Sequence, residues 1–456
     1  MTMTATSMPH GETLNLARFV HGATYADLPS QARRAARRAF VNIVGCCIGG
    51  ARHEIVNVAA KTLLPFAGEA TTSLMGRSER ADILTATLLN ALSSAAYSFD
   101  DTHAETILHP SGTVAAALLA IAERESMTGE DFLLAFTLGV EVASRVSKAV
   151  SVKPASGSIG WSQSGIAAGI GAAAAAARAF RLDPRTIAEA IGIAASEASG
   201  LRATHGTMAA TMIFGNAAHS GLRSALLARQ GLGAPASTLE SQHGFAALFA
   251  SQPHLPYLDQ ALGTRFEVES LGYKPYPCGV VAHPSVDAAL EFHRAANPSE
   301  GPIAGVRLQV HPSALALGDR RHPASVLEAK VSLYHWTAIA MARGHAGIAD
   351  GQQDAIDDSA IRRLRDLIVA EPDPALAPDA ARLSVTLSTG RQLQFAIEHC
   401  RGSLANPMSD DDLGEKFLGQ AGLHLTPARA SEALAACWGI DDLPDAAQVV
   451  ALCRLH

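Results

Sequence analysis

Fifteen consecutive positions, "SFDDTHAETILHPSG" from Ser98 to Gly112, hold three acids, two histidines and four hydroxyl residues, set between long runs of alanine and leucine. Three further polar stretches interrupt otherwise apolar sequence: "SGLRATHGTM", "GYKPYPCGVVAHP" and "EAKVSLYHW". Burying a charged group costs several kcal/mol unless it is paired. These residues are therefore expected to converge on a cleft, where carboxylates, imidazoles and a lysine can move protons and hold an anion. The plainer alternative is that Asp100 or Thr102 caps the following helix and that single histidines sit satisfied in a core.

Other chemistries lack their motifs. "GIGAAA" at Gly169 to Ala174 fits the glycine spacing of a dinucleotide loop, but no β-branched strand precedes it. There is no phosphate-binding G-x-x-x-x-G-K-[ST] loop. "HAE" at His103 with "PC" at Pro277 is half of a zinc deaminase pattern, and no second cysteine follows Cys278 at the needed spacing. "GWSQSG" has Ser164 where a nucleophile elbow needs glycine. No metal and no nucleotide are expected.

Composition sets the frame for those elements. The 456 residues are 48% hydrophobic and 17% charged, which describes a well-cored globular chain with room for more than one domain. A formal charge of −7 with scattered basic residues gives no footprint for nucleic acid or an anionic membrane, so a small-molecule partner is expected. The first twenty residues show no basic region, apolar core and cleavage site, and no apolar run reaches the roughly 20 residues that span a bilayer. A cytoplasmic location is the expectation. Six sparse cysteines form no C-x-x-C pair and read as free thiols.

The elements that position the polar stretches follow from periodicity. Alanine- and leucine-rich helical segments run from Leu14 to about Phe249 in a first domain of residues 1–265, with "SFDDTHAETILHP" as the joint between "RADILTATLLNALSSAAYSF" and "SGTVAAALLAIAERESM". "GIAAGIGAAAAAARAF" reads as a buried helix. Over 266–400, "GVRLQVHP" and "ARLSVTLSTGRQLQFAI" alternate as strands, and "HPSVDAALEFHRA" and "LEAKVSLYHWTAIAMARG" read as helices. "AEPDPALAPDAAR" reads as a loop. Residues 401–456 return to helix, with Ser409 as a cap, and are expected to rejoin the first domain. The fold class is mainly α: a large all-helical domain with a smaller α+β lid.

"FDDTHAETILHPSG", "GNAAHSGLRSALLARQG", "TLESQHGF", "YKPYPCGVVAHPSVDAAL", "EAKVSLYHWTAIAMARG" and "NPMSDDDL" together resemble the MmgE/PrpD family, in order and over nearly the whole chain. The resemblance implies that same two-domain fold, a homodimer, no cofactor, and an interdomain cleft for a small di- or tricarboxylate. Known members dehydrate 2-methylcitrate, decarboxylate cis-aconitate or epimerise iminodisuccinate. Lys274, His109, Tyr334, His335 and Asp100 become the candidate catalytic residues. Asp101, Thr102, His103, Arg202, His205 and Arg321 become the candidate substrate-binding residues.

Departures from the family bear on the reaction. Decarboxylase-like members carry an acid where this chain has Ser98 and a histidine where it has Ser162. Dehydratases and decarboxylases tend to carry a lysine where it has Ala209, Ala210 and Thr211. Abstracting a proton α to a carboxylate needs a base and cationic groups for the developing charge, which Lys274 and His109 can provide. Either arginine, Arg202 or Arg321, can depress a lysine pKa or hold a carboxylate. Dehydration needs an additional acid for the leaving hydroxyl, whereas epimerisation needs only a second base. The reduced set favours an iminodisuccinate-type epimerase, with Lys274 and a histidine or Tyr334 on opposite faces. A 2-methylcitrate-type dehydratase is the alternative, and a non-catalytic carboxylate-binding dimer is a third.

Overall fold

The computed structural model describes residues 11–455; positions 1–10, the start of the segment read above as lacking a leader, lie outside them. The helical domain is built from α1 (Ser30–Gly50), α2 (Ile83–Ala95), α3 (Ser111–Ala122), α4 (Gly129–Ser151), α5 (Gln163–Ala179), α6 (Pro184–Ser196) and α7 (Met208–Arg229). Side-chain caps start several of them where the sequence offers an oxygen: Asp82 for α2, Thr128 for α4 and Asp183 for α6. Helix α5 is the centre of the domain, buried along Gln163–Ala177 and packed against α4, α6 and α7.

Small residues make that packing possible. A Cβ on Gly171 would stand 2.3 Å from the Gly139 carbonyl of α4, and one on Gly169 would stand 2.9 Å from the Ala217 carbonyl of α7. The glycines of "GIGAAA" thus let three helix backbones meet rather than cradle a phosphate. Gly171→Ala is expected to cost about 1–3 kcal/mol through overpacking, despite alanine's better helix propensity. A urea midpoint equal to the wild type's would contradict this close-approach account.

The lid has its own hydrophobic core. After a short strand in each domain, β1 (Asp101–His103) and β2 (Leu271–Tyr273), it contains α8 (His283–Ala295), β3 (Ile303–Val310), α9 (Leu333–Arg343), α10 (Ser359–Leu367), β4 (Ile368–Pro372), β5 (Ala381–Leu387) and β6 (Gln392–Ile397). The sheet order is β6-β5-β3-β4, antiparallel except for the parallel β3–β4 pair. Strand β4 takes up Ala370–Pro372, the beginning of the stretch read from sequence as a loop. Helices α11 (Asp410–Ala421) and α12 (Pro427–Trp438) then leave the lid, and α11 packs along α1 of the helical domain. Ser409 caps α11 in a capping box with Asp412.

No single helix among the described residues is long and apolar enough to cross a membrane. All six cysteines are free and buried.

Candidate active site

The link between the domains is a two-stranded ribbon. β1 and β2 pair antiparallel in the register Asp101↔Tyr273, Thr102↔Gly272 and His103↔Leu271. The next positions outward are Asp100 and Lys274, and their side chains form a buried ion pair. Long-range strand pairing therefore sets the acid and the lysine, 174 positions apart in the chain, against each other. Burial opposes ionisation of Asp100, but the Lys274 ammonium, helped by His109, holds its carboxyl below the usual range.

Around this pair lies a cleft of about 150 Å³, walled by the joint, the N-terminal regions of α5 and α7, and the lid segments 279–281 and 327–331. His109 lines it. Its Nδ1 lies 2.6 Å from the Asp101 carbonyl and 3.2 Å from the Thr102 hydroxyl, and its backbone N–H donates to Ser164 Oγ at 3.0 Å. The carbonyl can only accept, so the network assigns the proton to Nδ1 and leaves Nε2 as a free acceptor. Burial, reinforced by the Lys274 charge, pushes the imidazole down to about 4 against the pull of Asp100. His109 is a neutral base at ordinary pH.

Cations outnumber acids in the cleft. Lys330 Nζ donates to the Ala96 carbonyl at 2.8 Å; burial and the Lys274 charge, opposed by Asp100, push it down to about 8. Arg202 lines the wall with no acidic partner among the described residues, and burial lowers its pKa. His205 stands nearby, its pKa lowered by burial and then by Arg202, Arg320 and Lys330. Such unpaired guanidinium and ammonium groups fit the carboxylates of a small anion.

The remaining sequence candidates fall outside the cleft wall. Asp101 turns away to accept from Ser111 Oγ at 2.5 Å; burial and the adjacent Asp100 charge push it up to about 7 despite that hydroxyl. Thr102 supports the His109 ring rather than the cleft. His103 is sealed behind the ribbon, with Nδ1 2.9 Å from Thr106 Oγ1 and Nε2 2.9 Å from the Glu267 carboxylate. Tyr334 donates to Asp319 at 2.9 Å with the Arg321 guanidinium over its ring, and Arg321 itself donates to the Asp366 and Ile368 carbonyls. His335 is buried in the lid, its Nε2 2.9 Å from the Asp350 carbonyl. Tyr334, His335 and Arg321 therefore hold the lid together and do not reach the cleft. Asp100 and Thr102 make no cap for α3, whose N-cap is Pro110.

Two lysines escaped the sequence reading. Lys330 lies inside the quoted "EAKVSLYHW", where it is the only cation in an apolar run. Lys416, on α11, reaches back to donate to the Asn42 side chain at 2.6 Å, the Phe99 carbonyl at 2.6 Å and the Lys274 carbonyl at 2.8 Å. It pins the backbone on both sides of the Asp100–Lys274 pair, which explains what the returning C-terminal helices do for the site. Ser98, Ser162, Ala210 and Thr211 also line the cleft, so four of the five positions that depart from the family pattern lie on its wall.

Among the described residues, no group of three His, Cys, Asp or Glu side chains converges as a metal site would require. The arrangement can bind an anion, take a proton at His109 Nε2 and return one from Lys330.

Comparison with known proteins agrees along the length of the chain. The MmgE/PrpD N-terminal domain family model matches residues 14–258 and the C-terminal domain model matches residues 276–440, so the latter takes in the returning helices as well as the lid. Human cis-aconitate decarboxylase is 25% identical over 460 residues, covering 97% of this chain and 94% of the relative. The mouse cis-aconitate decarboxylase is 24% identical, with 97% and 93% covered. A cis-aconitate decarboxylase-like protein of Aspergillus oryzae is 27% identical over 191 residues, 40% of this chain and 39% of the relative. With both domains matched in order on a mainly α fold with a smaller α+β domain, the chain belongs to the MmgE/PrpD family.

Proposed function

We propose that this chain is a cofactor-independent lyase that eliminates water from a small hydroxy di- or tricarboxylate. The observation that carries the reading is a neutral His109 with a free Nε2, set in a cleft whose cations exceed its acids. His109 takes the proton α to a carboxylate. Lys274 and Arg202 hold the carboxylates and the charge that develops on them, the largest single contribution in reactions of this kind. The electron pair of the broken C–H bond forms the alkene as the C–O bond breaks, and the Lys330 ammonium protonates the departing hydroxide to water. From sequence alone epimerisation is favoured because no acid is evident for that hydroxyl; Lys330 supplies one, and the whole-length relatives are decarboxylases rather than isomerases.

Epimerisation of an iminodisuccinate-type substrate remains a second reading, supported by Ser98, Ser162 and Thr211 on the wall, where ionisable groups are missing. Here Lys330 returns a proton to the opposite face. The two separate in heavy water. A dehydratase produces alkene absorbance from 2-methylcitrate and leaves iminodisuccinate unlabelled; an epimerase places deuterium at the α-carbon of inverted iminodisuccinate and makes no alkene. Alkene formation carries the lyase reading, and labelled inversion alone overturns it.

Two further outcomes follow. The rate should hold down to about pH 4, where His109 takes up a proton, and fall as pH rises through about 8, where Lys330 loses the proton it must donate. A rate flat through pH 8 contradicts Lys330 as the acid. Exhaustive EDTA treatment should leave turnover unchanged; loss with EDTA and recovery with a divalent metal contradicts the metal-free chemistry.

A further inference from the structure

Beside the cleft lies a second cavity, of about 360 Å³, lined by the joint, the ribbon, the lid loop at Pro378–Asp379 and the loop His399–Ala405. Ile107, Lys274, Val280 and Val281 line both spaces, so they share one wall with Lys274 in it. The chamber is largely apolar, with Ile107, Val280, Val281, Pro378, Leu404 and Ala405 on its surface, and it holds more than twice the volume of the cleft. Two features of its walls need explaining. Ile107, at the boundary, sits at φ +58°, a left-handed conformation that is a genuine outlier for a β-branched side chain. His283, buried in the wall, leaves its Nε2 without a hydrogen-bond partner.

Strained residues persist where the surroundings hold them, and they concentrate at ligand clamps and gates. The His283 Nε2 is sealed inside the wall, so its missing partner is not one that an apolar ligand supplies. Gly402 closes the chamber at φ +86°, and a Cβ there would stand 2.1 Å from the Tyr273 carbonyl, so the loop is folded directly onto the ribbon that carries Lys274.

We propose that this chamber is a substrate subsite that receives an apolar arm, an alkyl or aryl substituent on the carbon skeleton whose carboxylates lie at Lys274 and Arg202. The inference rests on the carboxylate reading of the cleft. It narrows the substrate class from bare di- and tricarboxylates to those bearing a hydrophobic substituent, with Ile107 setting the passage between head and arm.

Isothermal titration of the full chain with succinate and with 2-methyl-, 2-propyl-, 2-pentyl- and 2-benzylsuccinate tests it. Affinity should rise about fourfold per added methylene, the increment for a CH₂ moved from water into an apolar site, until the chamber is filled. Leu404→Asp and Ala405→Trp, which charge or fill the chamber from an exposed loop, should remove that rise and leave succinate affinity within twofold. Lys274→Met should weaken the whole series. Succinate binding that depends on Lys274, with no gain along the series or a gain that both chamber variants retain, overturns the chamber alone. No binding of any member, or binding indifferent to Lys274→Met, overturns the cleft reading and the chamber with it.

Discussion

Lys274→Met lowers turnover by at least about 10²–10³-fold, the usual cost of removing a group that stabilises developing negative charge. It also destabilises the fold, because it leaves the Asp100 carboxylate buried and unpaired, a loss of about 3–5 kcal/mol. Lys274 lies in the Gly/Pro-punctuated "GYKPYPCG", yet it is buried against its acid. The two effects separate in a double variant. Lys274→Met with Asp100→Asn removes both charges and should recover most of the lost stability while turnover stays absent. Full stability in the single variant contradicts the buried pair, and turnover in the double variant contradicts the role of Lys274 at the substrate.

His109→Gln is the second large effect. The amide can still donate to the Asp101 carbonyl, so the joint keeps its shape, but no basic nitrogen faces the cleft. Turnover should fall by about 10²–10⁴, the contribution of a positioned general base. Carboxylate binding should remain, because Lys274, Lys330 and Arg202 are untouched. The imidazole also has a stability signature. Its folded pKa of about 4 lies below the ordinary 6.5, so the unfolded chain binds more protons between those values and the native state loses stability as pH falls through that window. His109→Gln should flatten this part of the stability-versus-pH curve.

Much of this architecture was legible before the structure. Helical periodicity and alanine-rich packing gave the first domain, and alternation gave β3, β5 and β6. Strand β4 was missed because its run into "AEPDPALAP" looks like loop composition, and a parallel partner imposes no hairpin signal. The β1–β2 ribbon was beyond reach for another reason: three-residue strands carry no period, and their register is fixed by pairing across the whole helical domain. Hence the motif containing Lys274 was found, but its ion pair with Asp100 was not.

The dispersal of the "EAKVSLYHW" side chains has a geometric source. Successive residues at a helix start point in different directions, so sharing a motif does not mean sharing a face. Lys330 precedes α9 and looks into the cleft, while Tyr334 and His335, on its first turn, pack into the lid. In the joint, alternation along β1 works similarly: Asp100 faces the cleft and Asp101 its back. Chemistry-bearing residue types were identifiable from sequence; which of them share a space was decided by helix phase and strand register.

The central claim is that His109 removes a proton α to a carboxylate. Proton NMR in D₂O, with a panel of hydroxy di- and tricarboxylates that includes 2-methylcitrate and its longer-chain 2-alkyl analogues, follows that C–H bond directly in the wild type and in His109→Gln. The account requires at least one member to lose its α C–H signal and gain the ultraviolet absorbance of an unsaturated carboxylate with the wild type, and to stay intact with His109→Gln. The same loss at an undiminished rate with His109→Gln, or no loss from any member with the wild type, contradicts it.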